Sequence, residues 1–61
     1  MFKGGEPVRV PNPGGEGTVE ATYVSPSEPS RKHAEYVWVR YVEGQEQGLN
    51  AKIRYSDVER A

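Results

Sequence analysis

Residues 6–19 read Glu-Pro-Val-Arg-Val-Pro-Asn-Pro-Gly-Gly-Glu-Gly-Thr-Val, and this stretch narrows the possible folds more than any other. Val8 and Val10 alternate with Arg9, the two-residue period of a half-buried strand. Pro11, Asn12, Pro13, Gly14, Gly15 and Gly17 then stop that strand, and the glycines permit backbone angles that other residues disfavour. Thr18 and Val19 resume extended structure. A glycine-rich loop cradles phosphate when a helix follows and points its N-terminus at the anion. A strand follows here, so residues 14–17 are expected to be a tight turn between two strands.

The same period continues along the chain. Residues 7–11 form the first expected strand. Residues 17–24 form the second, with Val19, Ala21 and Tyr23 on one face and Glu20, Thr22 and Val24 on the other. Residues 25–34 are polar and carry two prolines, the composition of a loop, and are long for a hairpin connection. Residues 36–42 are the strongest strand, filled with β-branched and aromatic side chains. A turn at residues 43–46 leads to a fourth strand at residues 48–55. There Leu49, Ala51, Ile53 and Tyr55 alternate with Asn50, Lys52 and Arg54. Ser56 or Asp57 is placed to cap a single 3₁₀ turn, and residues 58–60 close the chain as a short strand. The expected core is Val8, Val10, Val19, Ala21, Val37, Val39, Leu49, Ile53 and Val58, with Tyr41 closing one end.

Sixty-one residues make one domain, residues 1–61. A chain of this length buries only about 60% of its unfolded surface, and small folds are commonly reinforced by disulfides, metals or self-association. The chain has no cysteine, which removes disulfides and thiolate zinc sites and fits the cytoplasm. Its one histidine, His33, lies in the polar loop and builds no metal site alone. No metal or cofactor is expected. The formal net charge of −1 is not that of a protein held to nucleic acid by bulk electrostatics, although a local basic face remains compatible with it. No apolar run approaches the roughly 20 residues of a membrane-spanning helix, and no membrane partner is expected.

Closing short strands into a barrel hides their edges, so a closed or nearly closed five-stranded barrel is expected. At that point a resemblance becomes visible. The segments G-E-P-V-R-V, G-G-E-G-T-V, V-W-V-R-Y and Y-S-D-V-E-R resemble the KOW/Tudor group of SH3-like barrels, in particular the small Tudor-like domain that ends many bacterial repair helicases. The resemblance implies an all-β, five-stranded SH3-like barrel with a one-turn 3₁₀ helix before the last strand. It also implies a binding module that contacts RNA polymerase, ribosomal components or nucleic acid. A second likeness is to the type B dihydrofolate reductases, short SH3-like barrels that work as tetramers around a shared pore. Residues 5–9 and 58–60 match the two ends of that family. The family's active-site V-Q-I-Y order is missing from residues 50–55, so no catalytic residue carries over and no enzymatic activity is expected. That likeness makes a homo-oligomer an expectation to test.

Function is then sought on the outer face. If Val37, Val39 and Tyr41 point inward, Tyr36, Trp38 and Arg40 point outward. An exposed Trp flanked by Tyr and Arg has the composition of a protein-binding hot spot. It also suits stacking of a nucleotide base. Lys52 and Arg54 lie on the expected neighbouring strand and join Arg40 in a small basic patch, with Glu43, Glu46 and Glu59 as the carboxylates available in sequence to pair with it. A basic crescent joined to exposed aromatics would point to nucleic acid, and intermixed carboxylates to protein. The expected binding residues are Tyr36, Trp38, Arg40, Lys52 and Arg54, and the expected partner is a protein, with nucleic acid as the first alternative and an oligomeric enzyme like the type B dihydrofolate reductases as the second. Glu16, Glu20 and Glu35 form no acid–base pair, and the serines lack a nucleophile-elbow context.

Overall fold

Alternation becomes five strands in a computed structural model that describes residues 2–27 and 35–61. They are β1 (Pro7–Pro11), β2 (Thr18–Pro26), β3 (Tyr36–Tyr41), β4 (Asn50–Arg54) and β5 (Glu59–Arg60), with a 3₁₀ turn at Tyr55–Asp57 before β5. The remainder of the expected loop, residues 28–34 with His33, lies outside the described residues. All the strand pairs are antiparallel, in one sheet of order β4-β3-β2-β1-β5. The fold is all-β. No helix among the described residues is long and apolar enough to cross a membrane.

The expected closure of the barrel is not met, because β4 and β5 are both edges of the sheet. The physical reason lies in the link between them. The 3₁₀ turn carries the chain away from β4, and β5 then pairs with β1, placing Arg60 opposite Val8 and Glu59 opposite Arg9. The turn has no side-chain cap, so neither Ser56 nor Asp57 plays the expected capping role. Its end is fixed instead by the Val58 N–H donating to Tyr55 O.

The inward face is the one the alternation gives. Val8, Val10, Val19, Ala21, Tyr23, Val37, Val39, Tyr41 and Val58 are buried, and Phe2, Ala51, Ile53 and Tyr55 pack against them. Leu49 departs from the expectation: it is 55% exposed. It lies in the turn ahead of β4, where its N–H donates to Glu46 O and its carbonyl accepts from Tyr41 N–H. The buried Tyr41 already fills that end of the core. Tyr23 is the largest fully buried side chain. Its ring lies 5.7 Å from that of Phe2, which in turn lies 5.9 Å from that of Tyr55.

Two local features shape the sheet. The β1–β2 turn is tied by Asn12, whose Oδ1 accepts from Gly14 N–H at 3.2 Å and whose Nδ2 donates to Glu16 O at 3.3 Å. Gly17 ends this turn at φ +79°, a region costly for any residue with a Cβ. In β2 the register shifts between Tyr23 and Ser25, so Val24 is an extra, exposed residue. The bulge prolongs β2 through Ser25 and Pro26, which the sequence assigns to the loop, and Ser27 N–H closes it onto Tyr36 O at 3.0 Å.

Candidate functional site

The β3–β4 register brings the expected residues together. Tyr36 stands opposite Arg54, Trp38 opposite Lys52, and Arg40 opposite Asn50. Because Val37, Val39 and Tyr41 are buried, these six residues share the outer face of the two strands. Successive outward residues on one strand are about 7 Å apart, and directly opposed residues about 5 Å. Five chemistry-bearing residues chosen from alternation alone therefore form one continuous surface.

Trp38 lies at its centre and is 39% exposed. Its ring is neither buried in the core nor fully solvated. Arg40 follows it on β3, and Arg40 Nε donates to Asn50 Oδ1 at 3.2 Å across the strand pair. Asn50 is a site residue that sequence reading missed. Its role depends on the cross-strand register, which local periodicity does not give. The Tyr36 ring is flanked by two cations, Lys52 Nζ at 5.6 Å and Arg54 Cζ at 5.4 Å from its centroid. Exposed cation–π contacts of this kind contribute about 0.5–1 kcal/mol each and order otherwise floppy side chains.

Among the described residues the carboxylate paired with this face is Glu35, whose Oε2 lies 3.3 Å from Arg54 Nη1. The expected pairing of the patch with Glu43, Glu46 and Glu59 does not occur among the described residues. Glu43 and Glu46 are in the β3–β4 turn, and Glu43 accepts the Glu20 N–H at 2.8 Å. Glu59 sits on β5 opposite Arg9. Glu35 directly precedes β3, and the Tyr55 N–H donating to its carbonyl at 2.8 Å holds that end of the strand pair. Its pairing with Arg54 was not legible in the sequence, because it depends on which strands meet.

A cleft of about 350 Å³ adjoins the surface. It is lined by Gly4, Gly5, Thr22, Tyr23, Val24 and Arg40, and so lies between the N-terminal turn and the β2 bulge, with Arg40 at its border with the Trp38 face. Among the described residues no group of three or more His, Cys, Asp or Glu could hold a metal ion. Comparison with known protein families, with curated proteins and with solved structures finds no match for the chain.

Proposed function

We propose that this chain is a non-catalytic binding module that contacts a protein partner through the outer face of β3 and β4. The observation that carries the reading is Trp38, 39% exposed and set between Arg40 and Lys52 on a surface whose cations are already held in place. Trp, Tyr and Arg dominate binding hot spots, and side chains ordered before contact lose less entropy on binding. Among the described residues Arg40, Lys52 and Arg54 share this face and Glu35 pairs with Arg54, which makes an acidic partner surface the complementary one. The sequence segments that resemble SH3-like barrels of the KOW/Tudor group, in which the resembling domain is a binding module, point the same way. A cysteine-free chain suits work in the cytoplasm.

The test compares the chain with Trp38→Ala and Arg40→Ala in capture of partners from the source cell, with thermal unfolding as the check on folding. A protein retained by the parent and lost from both folded variants supports the reading. A partner set and a solution mass unchanged in Trp38→Ala would overturn it.

One observation favours a second reading, binding of single-stranded nucleic acid. Arg40, Lys52 and Arg54 surround two aromatic rings, the composition of a base-stacking platform with phosphate contacts. Three phosphate contacts predict a log–log salt slope of about −2 for a single strand. Titration with oligothymidylate, followed by Trp38 fluorescence at several salt concentrations, separates the two readings.

A further inference from the structure

Among the described residues no strand pairs with the outer side of β4, and the backbone phase shows what that side offers. In an antiparallel pair, alternate residues turn N–H and C=O toward the partner strand and the residues between turn theirs away. Tyr41 N–H donates to Leu49 O, and Tyr55 N–H donates to Glu35 O. With Val37 opposite Ile53 and Val39 opposite Ala51, residues 49, 51, 53 and 55 are the ones bonded to the β3 side. Asn50, Lys52 and Arg54 therefore direct their backbone N–H and C=O groups to the open edge.

Proteins usually blunt such an edge with proline, a bulge, or charged side chains laid across it. β4 reads Asn-Ala-Lys-Ile-Arg, with no proline, and its pairing with β3 runs in unbroken register. Its three outward side chains are drawn back over β3. Asn50 accepts from Arg40, and Lys52 and Arg54 lie against the Tyr36 ring. Among the described residues these contacts hold the β4 side chains over β3 rather than across the edge, and the face beside the edge stays cationic.

We propose that the β4 edge receives an acidic extended peptide segment as a sixth strand. This deepens the protein-binding reading and rests on it. Main-chain bonds to Asn50, Lys52 and Arg54 would supply the attachment, as in other edge-strand recognition. Side chains would supply the selectivity. Alternate residues of the incoming segment fall on the outer face, where Asp or Glu meets Lys52 and Arg54. The residues between fall on the inner side, beside the half-buried Ala51 and Ile53 and the exposed Leu49. The same charges reject a second copy of the chain: a twofold pairing centred on Lys52 puts Lys52 directly opposite Lys52, and like charges directly opposed are destabilising.

The test uses three probes on the whole chain: the end-blocked peptide (Glu-Val)₄, its counterpart (Lys-Val)₄, and oligothymidylate. Amide hydrogen exchange is read residue by residue, alongside Trp38 fluorescence. The expected result is that (Glu-Val)₄ slows exchange at Asn50, Lys52 and Arg54 by about tenfold or more at saturation, and (Lys-Val)₄ does not. Lys52→Pro removes an outward N–H at an edge position where proline is tolerated, and should weaken peptide binding by about tenfold or more. Lys52→Ala, which removes the charged side chain but keeps the backbone N–H, should weaken it by less than about fivefold.

Equal binding by those two variants would overturn the edge contact. So would a Trp38 response to (Glu-Val)₄ without protection of the three amides, while leaving the β3–β4 face as a binding surface. A response to oligothymidylate alone assigns nucleic acid and overturns the proposal. Edge protection that rises with protein concentration in the absence of peptide assigns a second copy and also overturns it. If Lys52→Pro fails to fold, exchange in the parent chain decides. Loss of the cellular partner in Trp38→Ala is scored separately, so failure of the edge and failure of the face are distinguishable.

Discussion

Two aromatic residues show how one rule, alternation, gives opposite outcomes at the level of the residue. Tyr23 and Trp38 lie on adjacent strands, yet Tyr23 is 2% exposed and Trp38 is 39% exposed. Parity places the first inward beside Phe2 and the second outward beside Lys52. Burial has a consequence for the phenol: the Tyr23 hydroxyl is buried without a hydrogen-bond partner among the described residues. A buried, unpaired hydroxyl costs roughly 1–3 kcal/mol. Tyr23→Phe removes the group without changing the ring, so it should stabilise the fold by about 1 kcal/mol, read as a higher urea midpoint at constant slope. A lower midpoint would show that the hydroxyl is satisfied. Trp38→Ala touches no core residue by parity, and should cost about 1 kcal/mol or less in the same assay.

At the scale of the element, β4 separates what periodicity predicts from what it does not. Leu49, Ala51 and Ile53 share one parity, and on that ground all three read as core. Ala51 and Ile53 are half-buried against it, but Leu49 is 55% exposed because it belongs to the turn rather than to the strand. Leu49→Gln should therefore change stability by no more than about 0.5 kcal/mol, whereas Val39→Ala, at a fully buried position of β3, should cost about 2 kcal/mol. Equal losses would mean that Leu49 packs like a core residue.

The same contrast marks how much was legible in the sequence. The five strands and the outward parity of Tyr36, Trp38, Arg40, Lys52 and Arg54 follow from a two-residue period punctuated by Gly and Pro, because both signals are local. The Val24 bulge, the pairing of Arg40 with Asn50 and of Arg54 with Glu35, and the open β4 edge depend on register and on which strands meet. Those contacts are non-local, and no short window of sequence encodes them.

At the scale of the whole molecule, the described residues share one core, and the two buried tyrosines belong to it. Tyr23 packs toward Phe2, and Tyr41 is buried where β3 ends. Burial pushes both hydroxyls above their ordinary value near 10, with nearby Tyr55 adding to the effect at Tyr23 and Glu46 adding to it at Tyr41. A raised value in the folded state means that folding favours the neutral phenol. The associated stability is fully present below the unfolded value of about 10 and is lost as pH rises from there through the raised folded values. The urea midpoint should therefore hold steady between about pH 7 and pH 9 and fall above pH 10. General repulsion predicts a similar fall, because the chain becomes more negative as its lysines lose their charge. The double variant Tyr23→Phe/Tyr41→Phe distinguishes them. It keeps the lysines and the carboxylates but has no buried group to ionise, so its alkaline loss should shrink markedly. An undiminished loss would assign alkaline unfolding to net charge and remove the two buried tyrosines as its cause.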